Sequence, residues 1–163
     1  AWMREPHPEI SEAWLACYAD QPLATRQRAA VSFLGKHKAH IEAHVLRARI
    51  ALEGERWRQA KTWLEPHATQ AGETPMGRRL CLLMAEAEAG LDDAKQAQHW
   101  RECARRAPAE AGWMSAGLRL DGWQAICPVT GKLDGVIWAS PAEAALLPAT
   151  LATSGGSAPL ALS

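Results

Sequence analysis

Apart from tryptophan the chain has almost no aromatic residues: one Tyr and one Phe stand against eight Trp in 163 residues. Trp carries a large apolar area, so most of the eight are expected inside a core or between helices. An excess of one charge is also missing. Lys+Arg and Asp+Glu are both 18, so the formal charge is zero. That balance argues against a surface built to neutralise phosphates, and no basic run is long enough to draw the chain to a membrane surface. No apolar stretch reaches the roughly 18 to 20 residues that cross a bilayer, and no signal peptide opens the sequence. The chain begins at Ala1 without a methionine and is expected to be a soluble piece of something longer.

Cysteine is sparse and widely spaced. Cys17, Cys81, Cys103 and Cys127 form no CxxC pair and are expected to be reduced and buried, since free Cys is among the most buried residue types. Spacing identifies no Ser/His/Asp or Cys/His arrangement, no Gly-rich phosphate loop and no pair of catalytic acids. No enzymatic role, catalytic residue or cofactor is therefore expected. His37, His40 and His44 come closest to a metal motif. However, His40-Ile41-Glu42-Ala43-His44 reads H-x-E-x-H, which puts the glutamate in the wrong place for a zinc peptidase; surface or helix-cap histidines are the expectation.

What the sequence does have, from Pro8 to about Pro108, is helix. Ala, Leu, Glu, Arg and Gln dominate, all good helix formers, and strand-like alternation is absent. The first helix is expected over Pro8–Ala19, with Pro8 in the first turn and Glu9 and Glu12 at the positive end of the dipole. The second covers Leu23–Leu34 and is stopped by Gly35. The third covers His40–Glu53, with Ile41, Val45, Ala48 and Leu52 on one face. The fourth starts near Arg56 and carries Trp57, Ala60, Trp63 and Leu64; Pro66 should kink or end it. After a polar connection over Ala68–Pro75, the fifth covers Met76–Ala89 and the sixth Asp92–Ala107.

These six helices read as three antiparallel pairs that start near residues 7, 40 and 76, the period of helix-pair solenoids. Ala48, Ala60 and Trp63 match Ala85, Ala97 and Trp100 at one offset of 37, with Gly54 and Gly90 one residue out of register. The separation of twelve between the two small residues of each pair is the one tetratricopeptide repeats use. Arg47, His44 and Cys81 depart from that pattern, which wants large apolar or aromatic groups there. The expected fold is all-α: three tetratricopeptide-like antiparallel pairs in a right-handed stack over residues 1–110, although helical hairpins of other origin fit too.

Past Pro108 the character changes. Residues 111–140 hold Gly112, Gly117, Gly122, Gly131 and Gly135, punctuated by Trp113, Trp123 and Trp138, and Gly135–Trp138 reads as a short strand. Residues 141–163 are rich in Ala, Leu, Pro, Ser and Gly and are expected to be a flexible tail, able to fold back into the groove of the stack.

Trp113, Trp123, Cys127-Pro128, Gly131, Asp134 and Trp138, together with His7-Pro8-Glu9-Ile10 and Leu80–Glu86, resemble the C-terminal part of HemY-type proteins of the alphaproteobacterial kind. These are tetratricopeptide proteins associated with haem biosynthesis that typically close with a tryptophan-flanked, zinc-ribbon-like segment. The resemblance covers residues 7 to about 140. It places the four metal ligands at Ser115, Leu118, Cys127 and Thr130, and only one of these is a cysteine. A structural zinc site needs four good ligands, so the knuckle over 111–140 is expected without its metal, Trp113, Trp123 and Trp138 packing in its place on the last helix.

The resemblance further implies a non-catalytic scaffold at the bacterial inner membrane, on the cytoplasmic side, with membrane helices N-terminal to Ala1 and enzymes of tetrapyrrole synthesis as partners. Nucleic acid is not among them. In tetratricopeptide folds the first helix of each pair lines the concave face, which here would offer Glu42, Val45 and Arg49 from pair two and Arg79, Leu82 and Glu86 from pair three to a partner. Two alternatives stand beside this reading: a tetrapyrrole carrier using Trp-rich surfaces and Cys127 or a histidine, and a structural oligomerisation domain.

Overall fold

The computed structural model describes residues 1–68, 77–133 and 135–146. The protein is mostly helical, with one small antiparallel sheet. It divides into two units, Ala1–Ala107 and Pro108–Ser163, so the division falls just ahead of residue 110.

Among the described residues the first unit holds six α-helices: α1 (Pro8–Cys17), α2 (Leu23–Leu34), α3 (Ile41–Glu53), α4 (Trp57–Ala68), α5 (Gly77–Gly90) and α6 (Ala94–Arg106). Local chemistry sets their starts. His7 and His40 are N-caps, the Nδ1 of each accepting the amide two residues on, Glu9 N–H at 3.3 Å and Glu42 N–H at 3.2 Å. Such a cap satisfies one of the amides a helix start leaves without a partner. Asp93 caps α6 through the Gln96 amide at 2.9 Å. The third and sixth helices therefore begin one or two residues later than expected. Pro66 does not end α4, which runs on to Ala68. In the final turn the missing donor forfeits a single ladder bond, which the remaining helix tolerates.

Two apolar clusters make the core. One joins α3, α4 and α5 through Val45, Ala48, Leu52, Ala60, Leu64, Leu80 and Met84. The other joins Trp14 and Leu15 of α1, Ala30 and Leu34 of α2, and Ala43, Leu46 and Ile50 of α3. The residues ahead of α1 also take part. Trp2 is buried in the second cluster, its ring 4.7 Å from Phe33 and its Nε1 donating to the Leu34 carbonyl. Ala48, Ala60, Ala85 and Ala97 are all buried, which lets the helices of each hairpin approach closely.

The turn between α3 and α4 recurs between α5 and α6. Gly54, Glu55 and Arg56 donate to Ala51, Leu52 and Ala51; Leu91, Asp92 and Asp93, 37 residues on, donate to Glu88, Ala89 and Glu88. Glu55 and Asp92 both take a left-handed backbone, φ 55° and 61°. The true structural counterpart of Gly54 is thus Leu91, and the one-residue mismatch of the glycines has a packing reason. Leu23, first residue of α2, lies where a Cβ on Gly54 would be 2.3 Å away. Trp57, first residue of α4, lies 2.1 Å from a Cβ on Gly90. In each case the next hairpin's glycine is a seat for the residue that opens the previous hairpin's second helix.

Ion pairs repeat with the turns. Arg26 of α2 pairs with Glu53 of α3, and 35 residues later Lys61 of α4 pairs with Glu88 of α5. Between first helices, Arg49 pairs with Glu12 and Arg79 with Glu42, each spanning 37 residues.

The second unit contains β1 (Gly112–Ser115), β2 (Leu118–Arg119) and β3 (Ile137–Ala139) in the order β2-β1-β3, all antiparallel, followed by α7 (Pro141–Leu146). The expected strand over Gly135–Trp138 is displaced to Ile137–Ala139. Trp113 faces Trp138 across the sheet with ring centroids 5.1 Å apart, edge to face. Trp123 is 63% exposed, which corrects the expectation that it packs with them. The tail begins with helix α7, which Ser140 and Glu143 cap reciprocally at 2.8 Å and 3.2 Å; the rest of it, and Asp134, lie outside the described residues.

Candidate functional site

The six residues expected to line a concave face have divergent fates. Val45 is core. Glu42 is 2% exposed and its Oε1 accepts from Arg79 Nη2; its second oxygen accepts no hydrogen bond. Arg49 is engaged by Glu12. Four of the six thus hold the helices together rather than face outward. Leu82, 49% exposed, and Glu86, also exposed, remain free for a partner one turn apart on α5. Position on the first helix of each pair, which suggested this face, could not show that its charges satisfy one another across neighbouring hairpins.

In the second unit the chain brings together three of the four positions the resemblance marks as ligands. Cys127 is buried, and its sulfur accepts the Thr130 amide at 3.3 Å. The Ser115 hydroxyl, the Thr130 hydroxyl and the amides of Thr130 and Val129 bond the sulfur and hold the thiol at about 7, against the opposing pull of burial. Ser115 has a single hydroxyl proton, shared between this sulfur and the Gly135 carbonyl 2.6 Å from its oxygen. Leu118, the fourth position, is 54% exposed. One thiolate and two hydroxyls do not make a zinc site. The turn is closed instead by hydrogen bonds to the sulfur, together with Gly131 N–H to Cys127 O and Cys127 N–H to Lys132 O. Among the described residues no group of three His, Cys, Asp or Glu side chains is placed to hold a metal.

A pH dependence follows. The folded thiol titrates near 7, below its ordinary 9.0, so the thiolate's stabilisation is complete above 9 and is lost as pH falls through 7. The thermal midpoint of the second unit, followed by near-UV circular dichroism, is expected to rise between about pH 6.5 and 9. In Cys127→Ser the rise should vanish; an equal rise in both proteins would remove the thiolate as its cause.

The cysteines divide. Cys81 and Cys127 are buried as expected, but Cys17 is exposed and Cys103 half-buried beside His99. His40 is a cap, as read from the sequence. His44 is not simply at the surface: its Nδ1 lies 2.9 Å from His67 Nε2, one ring donating to the other. Burial first, then the charges of His67 and Arg47, lowers His44 below its usual range; burial first, then the charge of His40, lowers His67. Arg47, one of the misfits in the repeat pattern, lies with its guanidinium carbon 4.5 Å over the Trp63 ring. No protein-family model, curated protein or solved structure matches the chain.

Proposed function

We propose that this protein is a non-catalytic protein-interaction scaffold made of tetratricopeptide-like hairpins. The observation that carries the reading is the repetition: the turn within a hairpin, and the glycine seat and one Arg/Lys–Glu pairing between hairpins, recur after 34 to 37 residues. Joints of this kind build a stack in which each hairpin touches only its neighbours and the outer side chains are left for partners. Within it, Leu82 and Glu86 on α5 are the contact residues. The resemblance to HemY-type proteins extends the proposal to enzymes of tetrapyrrole synthesis as partners at the inner membrane. Among the described residues no helix is long and apolar enough to cross a membrane, so attachment would need another segment. The carrier alternative has against it a Cys127 sulfur buried to 1% and already bonded. The oligomerisation alternative has in its favour Leu118, Trp123, Ile126, Val129 and Leu133, all more than half exposed in the second unit.

The test uses the chain as bait on membranes of its source organism, in the native form and as Leu82→Arg/Glu86→Arg, both on an exposed face where such changes are tolerated within about 0.5 kcal/mol. Recovery of tetrapyrrole enzymes by the native chain and their loss in the variant is the expected result. Equal recovery by both would overturn the α5 face. Recovery of the chain itself, abolished by Trp123→Ser, would move the function to self-association.

A further inference from the structure

Between the first and second hairpins a cleft of about 150 Å³ opens, lined by Gln27, Ala30 and Val31 of α2, Arg47 and Ile50 of α3, and Gln59 and Trp63 of α4. Its floor is apolar, and Ala30 and Ile50 are buried core residues. Its polar groups are one guanidinium and two amides, and no carboxylate lines it. Arg47 takes part in no ion pair among the described residues. Partial burial lowers its affinity for the proton, the mark of a cation taken from water without a counter-charge. Every other cation with its side chain less than a third exposed that contacts an acid here does so across hairpins: Arg26, Arg49, Lys61 and Arg79. Arg47 instead has its guanidinium carbon 4.5 Å over the Trp63 ring, a contact that restrains the side chain, and a restrained guanidinium fork suits two parallel bonds to a carboxylate. At the rim, Arg56 Nη1 donates to Gln27 Oε1 at 3.1 Å, adding a second positive charge and turning the Gln27 amide donor elsewhere.

The volume decides the size of the guest. Water occupies about 30 Å³ in the liquid, so the cleft has the room of roughly five waters, below the roughly 300 Å³ of sites for drug-sized ligands. We propose that this cleft binds a carboxylate on a short branched aliphatic stem, the carboxylate on Arg47 and the stem on Ala30, Val31, Ile50 and Trp63. The chemistry is shared by a free branched-chain acid and by a peptide ending in a residue such as leucine. This site stands apart from the α5 residues of the scaffold proposal and does not depend on them.

The experiment titrates the full chain with 4-methylpentanoic acid, its carboxamide, and a tripeptide ending in leucine with either a free or an amidated C-terminus, reading the Trp63 indole N–H by NMR, assigned with Trp63→Phe. The free carboxylates are expected to move that resonance saturably and the amides to bind at least tenfold more weakly. Arg47→Gln should lose the preference, and Arg58→Gln, on the exposed side of α4, should keep it. A free peptide at least tenfold tighter than the small acid identifies a chain terminus as the guest; equal affinity identifies a small acid. Acid and amide binding alike to the native protein, or no saturable shift with any of the four, overturns the proposal without reference to any variant.

Discussion

Arg79→Ala is expected to lower the stability of the helical unit by about 2 to 3 kcal/mol, because it leaves the Glu42 carboxylate buried and without its cation. Removing one partner of a buried pair costs about 3 to 5 kcal/mol; the figure is set lower because the Arg79 side chain is 21% exposed while Glu42 is 2% exposed, so water can partly replace the arginine. The second variant gives the mechanism. Adding Glu42→Gln to Arg79→Ala removes the orphaned charge, and the pair should be less destabilised than Arg79→Ala alone, by about 1 kcal/mol or more of coupling. Urea unfolding of the four proteins measures it. A loss below about 0.5 kcal/mol in Arg79→Ala would mean that the pair is solvated in solution. The same reasoning makes Glu42 and Arg79 poor probes of partner binding, since changing either alters the fold before it alters the face.

Gly90→Ala is expected to destabilise even though alanine is the better helix former. The gain in propensity is at most about 1 kcal/mol. Against it, the new Cβ would lie 2.1 Å from Trp57 Cδ2 and 2.5 Å from Cγ and Cε2. These are atoms near the root of a rigid ring, so they cannot swing clear as the end of a flexible chain could, and overpacking of this kind costs about 1 to 3 kcal/mol. A net loss of about 1 to 2 kcal/mol follows. Gly122→Ala, with nothing within 4 Å of its Cβ, is the control and should be near neutral. In a Trp57→Leu background Gly90→Ala should cost less than in the native chain; the same cost in both would detach the glycine from the tryptophan.

Much of the helical unit was legible because its signals are local. Pro8, Gly54 and the apolar stripes of α3 and α4 mark where helices start, stop and face. The offset of 37 was visible in Ala48, Ala60 and Trp63, and the recurring turn gives it a cause in the Glu55 and Asp92 backbones. What sequence could not supply was partnership across hairpins. Glu42 reads as a surface acid on any helical wheel, and only the third hairpin, 37 residues away, makes it a buried ion. Trp2 precedes every periodic signal, yet fills a core. Pro66 lies inside α4, which continues two residues past it. In the second unit Ser115, Cys127 and Thr130, three of the four places the resemblance implies, lie together, but exposure is a tertiary property, and Trp123 and Cys17 carried no sequence mark of it. Arg47 did carry one: it broke the repeat pattern, and such breaks are where function tends to lie.

The opposite charges at Glu42 and Arg79 also bear on how such a protein could have grown. Inserting a second copy of α3–α4 after the first would respect one joint, since the Lys61 of the old copy would meet a new Glu53 where it now meets Glu88. The other joint would fail: a new Glu42 would stand where Arg79 stands, setting two buried carboxylates face to face. The middle hairpin is therefore not a module that can be copied in place.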